Sequence, residues 1–134
     1  MPHALLMLAS LKPIAFIGVR DKERARTFYG ETLGLRLTSD ELPFALVYDA
    51  GGFMLRVTPV GNQELRPVQF TVLGWETPDI VGTVKELQKG GVHFEHFGGG
   101  MPQDELGIWT APNGVRVAWF KDPDGNTLSV SQHH

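Results

Sequence analysis

A chain of 134 residues with net charge −3, no cysteine, 42% hydrophobic and 20% charged residues has the makeup of one folded domain, expected to occupy residues 1–134. The composition excludes a disordered chain and any disulfide or thiolate chemistry, and the missing cysteine points to the cytoplasm. No basic block is present, so no nucleic-acid partner is expected.

In chain order, the apolar run Ala4 to Ala9 is too short for a membrane span, which needs roughly 20 residues, and it lacks a cationic leader. It is expected to form an arm or edge segment, with no membrane partner. Ile14 to Val19 reads as a strand. A helix follows from near Asp21, with Ala25, Phe28, Tyr29 and Leu33 at helical spacing and Gly34 as its stop. "RDKERAR" alternates charges, and Glu23 precedes Arg26 by one helical turn, as on a solvated face. Short strands are then expected at Leu35 to Thr38, Phe44 to Tyr48 and Phe53 to Pro59. "VGNQELRP", Val60 to Pro67, reads as a linker.

Beyond it the same order returns. Val68 to Trp75 predicts a strand, and Thr77 an N-cap with Pro78 at the first helical position. Ile80, Val81, Val84 and Leu87 face inward before Gly90 and Gly91 end the helix. Val92 to Phe97, Val115 to Lys121 and Thr127 to Ser131 complete the set. "GGFMLRV" and "DGNTLSV" share Gly-x-x-Leu-x-Val, in a shift that also aligns Asp49 with Asp122 and Ala45 with Ala118. The expectation is an α+β protein of two tandem βαβββ modules, residues 12–60 and 68–132, joined by a linker at 61–67. Each helix covers one face of its sheet, leaving two faces to bury each other or a ligand.

The terminal "KDPDGNTLSV" fails as an EF-hand, because its glycine comes fourth from Asp122 rather than sixth and Pro123 stiffens it. It reads as a hairpin turn with Gly125 at positive φ. "HFEH" puts only His93 and Glu95 on one strand face, too few for a metal. Gly98 to Gly100 lacks the strand–turn–helix setting of a phosphate loop and is expected to be flexible within a long Gly98–Trp109 connection. No Gly-x-Ser-x-Gly elbow supports a hydrolase.

Three stretches, "VRDKERARTFYGETLGL", "DIVGTVKELQKGGVHF" and "WFKDPDGNTLSV", carry a resemblance to the vicinal oxygen chelate superfamily of glyoxalases, bleomycin-resistance proteins and dioxygenases, covering Ile14 to Gln132. The resemblance implies a paired-module cleft and a homodimer. In metal-dependent members, the first and last strands of each copy supply His, Glu or Gln ligands. Counted onto this chain, those positions fall on Ile14, Arg56, Val72 and Ser129. Two are aliphatic, one is cationic and one is a weak hydroxyl ligand, so no metal and no cofactor is expected.

Strand alternation sends Arg56 and Ser129 to the cleft, where Arg56 would clamp a carboxylate or phosphate, or else pair with Glu76. Phe16, Trp109 and Trp119 are candidate walls for a flat ligand, as in bleomycin-binding relatives; with Phe120 they equally suit a core, and for most of them the core is the expectation. Glu76 is a candidate general base, or a favourable charge at a helix start. The leading expectation is a binder of a small organic molecule, anionic or aromatic, without the family metal. Its rivals are a lyase, isomerase or dioxygenase using unusual ligands such as Glu76 and His93, an acid-base catalyst built on Glu76, and an interaction module whose cavity its own side chains fill.

Overall fold

The computed structural model describes residues 8–61 and 63–133. Of the apolar amino-terminal run, residues 4–7 lie outside this range, as does His134; Leu8, within it, is exposed. The first module contains β1 (Ile14–Val19), α1 (Lys22–Arg26), β2 (Arg36–Glu41), β3 (Ala45–Asp49) and β4 (Met54–Pro59). The second contains β5 (Thr71–Glu76), α2 (Ile80–Lys89), β6 (Trp109–Thr110), β7 (Arg116–Lys121) and β8 (Thr127–Gln132). Their sheets have orders β1-β4-β3-β2 and β5-β8-β7-β6, with the first strand of each module parallel to its last. The duplication read from the sequence is therefore a duplication of topology.

Local chemistry sets the helix ends. Asp21 caps α1 by accepting the backbone N–H groups of Glu23 and Arg24. At Thr27 the helix widens into a π turn through Thr32, closed by Leu33 N–H donating to Phe28 O at 2.8 Å. Leu35 N–H then reaches back to Tyr29 O at 3.0 Å, while Gly34 takes φ +73°. The cap of α2 departs from the expectation. Asp79, not Thr77, accepts from Gly82 N–H, and Thr77 Oγ1 instead accepts Asp79 N–H while bonding Thr83 Oγ1 at 2.7 Å. Pro78 consequently precedes the cap, where it interrupts no helical bond.

Another difference concerns Val92 to Phe97, which forms no strand. Its pairing is confined to a Phe94–Phe120 bridge and the Glu95 N–H to Trp119 O bond. Gly98 to Gly100, all at positive φ, turn the chain away, and the two-residue β6 takes the sheet edge. The expected strand at Val68 also starts later, at Thr71.

Alternation decides which side chains meet the helices. Ile17, Val19, Leu55, Val57, Leu46 and Tyr48 join Ala25 and Tyr29; Leu73, Phe120, Leu128 and Val130 join Ile80 and Val84, all in one continuous core. Each fully buried Leu, Val or Ile contributes about 1.5–3 kcal/mol. Polar groups complete the union of the modules. Asp122, which the sequence assigns only to a turn, is 4% exposed and accepts from Tyr29 Oη at 2.7 Å, Asn126 Nδ2 at 2.8 Å, and the N–H groups of Asp124 and Asn126. Asp124 accepts from Arg20 N–H at 3.1 Å and Arg24 Nη2 at 3.2 Å, and Asn126 Nδ2 also donates to Gly18 O. One turn thus fastens the second module to the first.

Candidate site on the open sheet faces

The faces turned away from the helices carry the residues that the sequence singles out. On the first sheet, Ile14 lies opposite Met54 and Phe16 opposite Arg56 in the parallel β1–β4 register. Phe16 is 65% exposed and Ile14 47%, large apolar groups with no cover. Arg56 pairs with Glu41 at 3.0 Å, at the β2–β3 end of its own sheet, rather than with Glu76. A guanidinium has five N–H donors, and this pair uses Nη2. Beside them a 430 Å³ depression is lined by Lys12, Ile14, Arg36, Asp49, Phe53 and Met54, among others.

On the second sheet, Trp119 sits opposite Ser129, and Ser129 opposite Gly74. The close approach requires that glycine: a Cβ at position 74 would stand 2.5 Å from Ser129 Oγ. Ser129 is therefore delivered to the open face as expected but lies buried between its neighbours. Trp119 Nε1 donates to Thr71 Oγ1 at 3.0 Å. Its ring meets Phe97 edge-on at 5.5 Å and Trp109 at 6.1 Å, forming an aromatic wall. A 320 Å³ depression at this wall is lined by Gln69, Phe70, Thr71, Phe97, Met101, Trp119 and Thr127.

Phe70, Phe97 and Met101 are candidate site residues that sequence reasoning missed. Phe97 had a readable signal, an aromatic immediately before three glycines, but its partner Trp119 is 22 positions away and becomes a neighbour only through sheet pairing. The connection bearing Met101 is pinned rather than loose. Gln103 Nε2 donates to Glu95 O and Gly107 O at 2.9 and 2.8 Å, and its Oε1 accepts Phe97 N–H at 2.7 Å. Asp104 adds bonds to Leu106 and Ile108 N–H. Phe120, by contrast with Trp119, is a core residue at 1% exposure.

Glu76 stands exposed at the end of β5, opposite Ser131, on the same face as Val72 and Gly74. No apolar enclosure surrounds it of the kind a buried general base requires. The positions that the resemblance assigns to metal ligands hold the exposed aliphatics Ile14 and Val72, the ion-paired Arg56 and the hydroxyl of Ser129. This set does not fit a divalent cation. Among the described residues, no three His, Asp or Glu side chains gather where they could hold one; His93 and His96 are exposed. The two open faces thus differ in character: a cation beside apolar groups on one, an aromatic wall on the other.

The architecture is shared with solved structures. A glyoxalase/bleomycin resistance protein/dioxygenase superfamily member from Sphaerobacter thermophilus is 24% identical with TM-score 0.73, the match covering 95% of this chain and 100% of that one. A glyoxalase family protein from Enterococcus faecalis is 18% identical with TM-score 0.72, covering 93% and 99%. Lactoylglutathione lyase from Agrobacterium tumefaciens is 18% identical with TM-score 0.66, covering 92% and 94%. At these identities the likeness concerns the fold alone. No curated protein matches the sequence. The family model for the glyoxalase/bleomycin resistance protein/dioxygenase superfamily matches residues 10–130, and with its duplicated topology the chain belongs to that superfamily.

Proposed function

We propose that this protein binds a small aromatic acid on its open sheet faces without the family metal, and that a second copy completes the binding cleft. The carrying observation is the uncovered apolar surface opposite the helices: Phe16 is 65% exposed, Phe97 50%, Ile14 47% and Val72 42%. Isolated exposed apolar side chains need no explanation, but clusters aligned on one face of each sheet favour an interaction surface. They also speak against a module whose hollow is filled by its own side chains. Two half-sites of opposite character suit a dimer in which Arg56 of one sheet receives the carboxylate and Trp119, Trp109 and Phe97 of another receive the ring. The missing cysteine favours a cytoplasmic setting. Among the described residues, no helix is long and apolar enough to cross a membrane.

The test is a titration with paired probes, 2-naphthoate and the uncharged 2-naphthamide. Naphthoate should bind more tightly, and Arg56→Ala should weaken it about tenfold, the value of one charge-assisted hydrogen bond, while leaving naphthamide unchanged. Trp119→Ala should weaken both probes. Equal affinity for the two, unaffected by Arg56→Ala, removes the anion clamp. A chain that sediments as a monomer at the concentrations where it binds removes the second copy.

A further inference from the structure

On the other side of the second sheet lies a cavity that the open-face site does not use. Leu33 and Leu35 of the first module close against Trp75, Thr83, Leu87, Phe120 and Val130 of the second, leaving a partly enclosed space of 180 Å³. Trp75, Phe120 and Val130 reach it from the helix-covered face, because each precedes or follows in its strand a residue directed the other way: Glu76, Trp119 and Ser129. The cavity and the open face are therefore separated by the thickness of a sheet.

We infer that this cavity is a binding site for a small, uncharged, apolar molecule of about the size of benzene or toluene. Three observations select that chemistry. Every side chain of the lining except Thr83 and the half-buried Trp75 is a pure hydrocarbon, so no charged or strongly polar ligand would find partners. Thr83 Oγ1 is already engaged with Thr77 Oγ1 at 2.7 Å, so the lining offers little that would hold entering water against an apolar ligand. An apolar cavity of roughly 150 Å³ accommodates benzene, and this one is slightly larger and open to solvent on one side. The space resists collapse because its walls come from both modules. Those modules are held in place elsewhere, by the Asp122 and Asp124 network.

The experiment is a benzene titration of the intact chain followed through the methyl resonances of leucine and valine. Saturable shifts are expected at Leu33, Leu35, Leu87 and Val130, with Val72 on the open face unmoved. Leu35→Trp, which fills the mouth, should abolish those shifts. Leu33→Phe fills it from the other side and serves where Leu35→Trp does not fold; it should also abolish them. The inference is overturned by the absence of saturation, by shifts confined to the Phe97–Trp119 face, or by a folded filled variant that binds benzene as well as the parent. The naphthoate titration is read from the opposite face of the sheet, so either result can fail without the other.

Discussion

Two hairpin turns in this protein descend from the same pattern and have different physical roles. In the first module Asp49 accepts Gly52 N–H at 3.0 Å, and its carboxylate, half-buried, lies 3.7 Å from the largely exposed Arg36. In the second, Asp122 occupies the equivalent position, but its carboxylate is buried and accepts four hydrogen bonds, one from the Tyr29 phenol of the other module. Turn chemistry is common to both, since each needs a side-chain acceptor and a glycine at positive φ: Gly52 at 104° and Gly125 at 92°. The surroundings differ. Asp49 faces solvent and the rim of a depression, whereas Asp122 and Asp124 meet α1 and the end of β1. A surface turn can lose its acceptor to water; a buried one leaves its donors stranded.

The largest expected effect follows from that contrast. Asp122→Ala should destabilise the fold by about 3 kcal/mol, because the Tyr29 hydroxyl, the Asn126 amide and two backbone N–H groups lose a buried acceptor. Urea unfolding measures it, and a change as small as that of a surface turn would erase the distinction.

Tyr29→Phe comes next, at about 2 kcal/mol for one hydrogen bond to a buried carboxylate. It carries a pH signature. Burial, with the facing Asp122, pushes the Tyr29 phenol well above its ordinary value. A phenol raised on folding stabilises fully below its unfolded pKa of about 10 and loses that contribution as pH climbs further. The parent should therefore lose urea stability between neutral pH and pH values above about 10 by more than Tyr29→Phe does. Parallel loss in the two proteins would mean that other groups set the alkaline limit.

Asp49→Ala, the matched change in the first module, should cost under about 1 kcal/mol, the scale of a solvent-accessible turn or cap. If it equals Asp122→Ala, position in the repeat and not burial governs both turns.

How much of the site was readable follows from range. Period-two alternation and repeat alignment place Arg56 and Ser129 on the open faces, information that lies within a few residues of each, whereas the sequence leaves Trp119 between pocket wall and core. The partner of Arg56 was not readable: the sequence offers Glu76, whereas sheet pairing across β3 brings Glu41 to 3.0 Å. Similarly, the cap of α2 moved from Thr77 to Asp79 because both residues can cap, and the choice depends on where the backbone turns into the helix after Pro78.

Residue order alone carried the duplicated strand–helix arrangement, the inward and outward faces, and Ile14, Arg56, Val72 and Ser129 at the positions that the resemblance assigns to metal ligands, a set ill suited to a divalent ion. Those properties depend on periodicity, turn residues and side-chain chemistry, all of which act locally. Packing in three dimensions was needed to show that the terminal turn is a buried fastening between modules, that Phe97 and Met101 join Trp119, and that an apolar hollow lies behind the second sheet. Each of these depends on residues far apart in the chain packing together, and burial then sets the energy of the polar and apolar groups involved.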